Sequence, residues 1–390
     1  MTRSPGNRLT LTGINLAVLL TVSHAANDAF ANILPVYLPT LQARFSLGEA
    51  ALASFVALIS LSANMLQPVM GALSDRWGRR RTAALGLTVG SVLMSLLAVV
   101  PNVWTLVLIL AVGGLGSAIF HPSAVSMARA VGERKGLSVA FFTSGGPLGA
   151  ALMPVIVLAI MRTYGEQYIP WLALVGTILG AALFYLSPQQ PRALGADRAR
   201  VFDFSLLRGP VGLLAGAGIM RSLAFISFSN AMPLWFVNVQ GYATDAPIIG
   251  WTLAVYGVSA SAGVLAAGAL EHRLDRRALI VGSMLLAIPL LFSTLIVPPT
   301  SLLFYPCVAL AGTLTNASVA LLVVSAQDLA PHAVATASGL LMGFTWGTGG
   351  VLYIGFGALQ ESVGLSAALG VSYLFLLPAA GLALYALNRQ

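Results

Sequence analysis

The sequence predicts an all-α membrane protein, with twelve transmembrane helices in two pseudo-symmetric six-helix bundles. Three observations carry that reading. Of the 390 residues 58% are hydrophobic and only 8% are charged, with a mean hydropathy of +0.89. Soluble domains carry about 25% charged residues. Apolar stretches near the ~20 residues that a helix needs to cross hydrocarbon recur from end to end, too long and continuous for barrel strands, and a bilayer admits only helices or closed barrels. A polar segment near the midpoint separates two regions that share a loop motif.

In chain order, the first span covers 12–39 and includes "LLTVSHAANDAFANILPVYLPTL", with His24, Asn27 and Asp28 near its middle. It is long, internally charged and lacks a small-residue cleavage pattern, so it reads as a retained helix and not a signal peptide. The second span, 47–73, runs into the loop "GALSDRWGRRR" (71–81). Spans at 82–100 and 103–126 follow, the latter carrying His121-Pro122 near its inner end. The fifth and sixth, 137–161 and 168–187, complete an N-terminal bundle of residues 1–187. Proline, glycine and mixed charge make 188–210 a linker. The second bundle, 211–390, holds spans at 211–238, 247–270, 278–297, 302–325, 334–360 and 365–388.

Orientation follows from the basic residues. With the N-terminus inside, one side holds Arg3, Arg8, the 76–81 cluster, Arg129, Arg134, Lys135, Arg192, Arg198, Arg200, Arg208, the 273–277 cluster and Arg389. The other holds Arg44 and Arg162. Both termini are expected to be cytoplasmic. The net charge of +8 is thereby topogenic and does not point to nucleic acid. Cys307, the single cysteine, reads as a small core residue. The loop after the eighth span, "GALEHRLDRRA" (268–278), repeats the 71–81 motif at an offset of 197 residues. That spacing fits parallel repeats with a binding site between the halves, near the bilayer midplane.

"GALSDRWGRRR" resembles the signature loop of the major facilitator superfamily; in the second copy Asp275 stands in place of Gly78. Gly71 permits close helix approach, Gly78 a tight turn, and Asp75 with Arg76 and Arg79 is expected to form a latch in one gate state. The stretches "HAANDAFANILPVYLPTLQARFSL" (24–47), "NMLQPVMGALSDR" (64–76), "GSAIFHPSAVSMAR" (116–129) and "SAQDLAPHAVATASGLLMGFTWGTGG" (325–350) are similar to the fosmidomycin-resistance branch of bacterial inner-membrane efflux proteins. Ser123 occupies a place where that branch often has an acid, so the acid's role is absent. The antiporter signature of the fifth span is partial: "SGGPLGAALMP" (144–154) keeps Gly145, Gly146, Pro147 and Gly149, while Phe142 and Ala150 replace glycine.

Asp28 and Arg221 are charges well inside spans, each costing about 2.5–3.5 kcal/mol at a helix centre, which marks them as functional candidates. The 197-residue offset maps His24 onto position 221, and Asp28 lies one turn beyond His24, so the three are expected to face one cavity. Arginine keeps its proton, which makes Arg221 a substrate-binding or counter-ion residue. Asp28, with His24, is the proton-coupling candidate. Asn27, Phe30, Tyr256 and Trp346 are expected beside the substrate, with Phe225 and Trp235 as further aromatic candidates. His121 is assigned to gating. Gln67, Asn230 and Asn316 read as interhelical hydrogen-bonding groups, His272 and His332 as loop residues.

No ATP-binding lysine-serine signature, catalytic pair or metal cluster is apparent, so no enzyme activity, cofactor or metal is expected. The expected partners are a small-molecule substrate, protons and the lipid bilayer, with a monomeric protein. The expectation is a proton-coupled exporter of a small drug-like or anionic compound. Two alternatives stand beside it: proton-coupled uptake of an organic anion, which an Asp28–Arg221 pair would favour, and a non-transporting sensor, which calls for a regulatory segment.

Overall fold

The computed structural model describes residues 11–131, 135–189, 204–331 and 333–389. Arg3, Arg8, Arg134, Arg192, Arg198, Arg200, His332 and most of the 188–210 linker lie outside the described residues. No strand occurs among those described.

The first traverse is a broken helix, α1 (Gly13–Ala31) and α2 (Ile33–Phe45). Asn32 leaves helical geometry between them, and its amide donates to the Asp28 carbonyl at 2.8 Å. The second is α3 (Glu49–Ser60), a π-helical turn at Leu61–Met65 and α4 (Gln67–Trp77), bent by 45°. Then come α5 (Arg79–Leu96), α6 (Val103–Arg129), α7 (Lys135–Thr163) and α8 (Ala173–Leu186), the last preceded by a 3-10 segment. The second half contains α9 (Pro210–Asn238), α10 (Pro247–Leu270), α11 (Arg276–Ile296) and α12 (Phe304–Leu329). It ends with α13 (Val334–Gly339), a second π turn at Leu340–Phe344, α14 (Thr345–Val363), α15 (Leu365–Leu374) and α16 (Leu376–Leu387).

Among the described residues ten helices are long and apolar enough to cross a membrane, eleven with the bent α3–α4 pair. The broken α1–α2 pair is the remaining traverse; its polar centre and the break at Asn32 keep it below the hydropathy of the others. Most edges lie within about three residues of those expected. The exception is the first helix, which continues through Pro39 to Phe45.

Lipid offers no hydrophobic drive between helices, so close packing of small residues holds them together. On α7, side chains added at Gly145 and Gly149 would strike the α1 carbonyls of Thr21 and Ala25. The halves meet where α3 crosses α14 and where α7 crosses α10. In the second crossing, Gly250 and Gly257 seat α10 against Pro154 and Ala151 of α7.

At the end that the charge rule places outside, hydrogen bonds join the halves. Asn238 donates to Gln42 Oε1 at 2.8 Å, and Glu361 Oε1 accepts from the Ala50 amide, in the first turn of α3, at 3.0 Å. At the inner end the ion pairs stay within each half, Asp75 with Arg79 and Arg276 with Glu271 and Asp328. Hydrogen bonds thus bridge the halves at one end, while the ion pairs at the other do not.

Candidate functional site

The polar residues of α1 converge on α6 and α7. Asp28 sits between two histidines, with Oδ2 3.4 Å from His24 Nε2 and Oδ1 3.1 Å from His121 Nε2. Both rings are tethered through their other nitrogen. His24 Nδ1 lies 2.9 Å from the Phe142 carbonyl, and His121 Nδ1 lies 3.0 Å from that of Ser117. A carbonyl only accepts, so each Nδ1 carries a hydrogen. The neutral form of each ring would then turn a bare Nε2 lone pair on the carboxylate. A proton placed between the partners would make each contact a hydrogen bond.

Local packing explains why the cluster forms. Gly146 of α7 faces it: a Cβ there would collide with Asp28 Oδ2 and lie 2.7 Å from His24 Nε2. Phe142, one of the departures from the antiporter pattern, stacks its ring on His24 at 4.3 Å between centroids. Asn27 orients the carboxylate, donating to Asp28 Oδ1 and to Ser117 Oγ, each at 3.0 Å. His24 and Asn27 are buried, while the Asp28 and His121 side chains keep 25% exposure.

Arg221 belongs to a separate centre in the second half. It is 2% exposed, donates from Nη1 to Asn316 Oδ1 at 2.5 Å and stacks 4.7 Å from the Trp346 ring centroid. Phe225 touches both Trp346 and Tyr256, with centroids 5.2 Å apart in each case. Arg221 Nε is buried without a hydrogen-bond partner, and no carboxylate pairs with the guanidinium among the described residues.

Several expectations change on this geometry. Asp28 pairs with His24 and His121, not with Arg221, because symmetry equates positions 24 and 221 without bringing them together. His121, assigned to gating, reaches the carboxylate. Asn316 of α12 keeps its interhelical reading, and its partner is Arg221 of α9. Phe30 packs near Gly176 of α8 and lines a small void with Asn27, away from Arg221. Trp235 is core, donating to Ser366 Oγ at 2.9 Å.

In the 71–81 loop Gly71 lies against Pro122, and Gly78 turns the chain at φ +95°, a left-handed conformation suited to glycine. Asp75 pairs with Arg79 at 3.1 Å. Asp275, in the repeated loop, instead caps α11 by accepting from the Ala278 amide at 3.1 Å. Ser123 joins α4, α5 and α6 through Ser74 at 2.7 Å and Thr82 at 2.9 Å.

The family model described as Major Facilitator Superfamily matches residues 20–354. The chain belongs to the major facilitator superfamily. Among relatives in it, an uncharacterized MFS-type transporter, YfnC of Bacillus subtilis (strain 168), is 27% identical, covering 90% of this chain and 88% of its own. The fosmidomycin resistance protein of Escherichia coli (strain K12) is also 27% identical, over 87% and 85%. Of solved structures, the nucleoside transporter NupG matches with a TM-score of 0.75 at 16% identity, covering 96% of this chain and 98% of that one. The superfamily fold and the similarity to the fosmidomycin-resistance branch, both expected from the motifs, are thus established.

Proposed function

We propose that this membrane transporter is a proton-coupled exporter of a small drug-like or anionic compound. It exchanges substrate for protons by alternating access in the bacterial inner membrane, with both termini cytoplasmic. The observation that carries the reading is the His24–Asp28–His121 cluster, in which a proton can bridge each histidine to the carboxylate. Loss of both protons leaves acceptors facing one another at 3.1–3.4 Å, which favours separation of α1, α6 and α7. Protonation therefore selects between conformations, as a coupling site must.

Arg221 supplies the substrate side of the reading. A buried donor without an acceptor costs about 1–3 kcal/mol, more when charged, and an anionic oxygen relieves that cost while Trp346, Phe225 and Tyr256 take an apolar group. Because Asp28 and Arg221 keep separate partners, an anion at Arg221 needs no proton at Asp28. That independence removes the charge argument for co-transport, and the resistance protein among the relatives supports export. The membrane potential contributes about 2.3 kcal/mol per charge per 100 mV.

The test is transport in proteoliposomes under imposed pH gradients, with Asp28→Asn beside the wild type. Asp28→Asn should retain counterflow and lose pH-driven accumulation. Unchanged proton coupling in that variant overturns the assignment. Substrate moving in the same direction as protons in the wild type overturns export.

A further inference from the structure

Of four arginines around the α4–α5 turn, two are used internally. Arg79 pairs with Asp75, and the buried Arg80 donates to the Ser187 carbonyl at 3.2 Å. Arg76 and Arg81 are exposed and make no ion pair among the described residues. They border a cavity of about 330 Å³ whose other walls are Trp77, Thr82 and Leu85. Trp77 is 54% exposed and Leu85 52% exposed.

The register of α5 says which way this cavity opens. Leu85 lies one turn beyond Arg81 on the same face, and it belongs to a stretch apolar enough to cross the bilayer. The opposite face of α5 is packed, with Ala83, Ala84 and Leu87 buried in the core. An exposed leucine on such a helix meets acyl chains. Arg81 therefore stands where that lipid-facing stripe reaches the polar interface, and Trp77 stands at the depth where indole rings concentrate. The site thus combines two unpaired guanidinium groups at its mouth with an apolar wall running into the membrane. Inorganic phosphate has nothing to place on that wall, and a zwitterionic headgroup brings its own cation to the arginines.

We propose that this cavity binds an anionic phospholipid. Arg76 and Arg81 hold the phosphodiester, Trp77 packs at the glycerol level and an acyl chain lies along Leu85. Guanidinium groups match phosphate oxygens in paired hydrogen bonds. The site is separate from the proton cluster and from Arg221, so it stands or falls independently of the transport reading.

The test uses the purified full-length protein in detergent, with lipid retention followed by native mass spectrometry and stabilisation by thermal unfolding. The probes are phosphatidylglycerol, phosphatidylcholine of the same chains, and inorganic phosphate. Phosphatidylglycerol should be retained and should raise the unfolding temperature, while the other two should not. Arg81→Gln should weaken its binding about fivefold or more, the worth of one arginine near an anionic surface. Trp77→Ala, which leaves both charges in place, should weaken it as well and serves if Arg81→Gln folds poorly. Equal binding of phosphatidylglycerol by both variants and the wild type overturns the proposal. Equal stabilisation by phosphatidylcholine, or a full shift from phosphate alone, also overturns it.

Discussion

Substituting Gly146 tests whether the glycines of α7 exist to admit the His24–Asp28–His121 cluster. In Gly146→Ala the new methyl would lie 2.7 Å from His24 Nε2 and 2.8 Å from its Cε1, and closer still to Asp28 Oδ2. Ordinary contact begins at 3.4 Å, so the ring must retreat by roughly 0.7 Å. Retreat is blocked: the Phe142 ring stacks on the imidazole at 4.3 Å, and the Phe142 carbonyl holds Nδ1 at 2.9 Å. Overpacking of this kind costs about 1–3 kcal/mol, or roughly 5- to 150-fold in the balance between this conformation and its alternatives. Thermal unfolding in detergent and the pH profile of counterflow in proteoliposomes read that change. The expected result is a lower unfolding temperature together with a displaced pH profile. Gly381→Ala is the control, because a Cβ there meets nothing within 4 Å, and alanine favours the helix by up to about 1 kcal/mol. A Gly146→Ala protein with wild-type stability and pH profile would refute the reasoning.

His121→Gln replaces an imidazole with an amide that can donate to Asp28 without binding a proton, so if the proposed coupling holds, the number of protons moved per substrate should fall in flux-ratio measurements. Arg221→Lys removes the planar stack on Trp346, worth about 0.5–2 kcal/mol, and the hydrogen bond from Nη1 to Asn316; substrate affinity should fall about tenfold or more in a binding assay. Glu361→Ala removes an acceptor from the first turn of α3, a capping loss of about 0.5–2 kcal/mol. In a Cys307→Ser background, a Gln42→Cys reporter at the outer end should then become more accessible to an impermeant thiol reagent.

Hydropathy located nearly every helix edge because crossing hydrocarbon demands length and apolarity, and both are local properties of the chain. The first span was harder to bound. Asn32 and Pro39 look like terminators, yet the helix resumes, with both the backbone and side-chain amides of Asn32 donating to the Asp28 carbonyl. Asp28 and Arg221 were legible as candidates since buried charge is costly in lipid, but their partners were not. Asn316 lies 95 residues from Arg221, and one asparagine in a span looks like any other. His121 did carry a signal: Ser117 and His121 form an i, i+4 polar pair within a largely apolar stretch of α6.

The tether between His24 and α7 gives the cluster a reach beyond its own half. The imidazole is a rigid plate with the carboxylate on one edge and a backbone carbonyl of α7 on the other. A change of charge at Asp28 is therefore also a change in the grip on the main chain of that helix. Farther along, α7 bears Ala151 and Pro154, which seat Gly257 and Gly250 of α10. One helix thus carries both the carbonyl that His24 holds and the surface on which α10 of the opposite half is seated. Bulk added at Gly257 would disturb that seat while leaving the His24 tether untouched, separating the contact between the halves from the cluster itself.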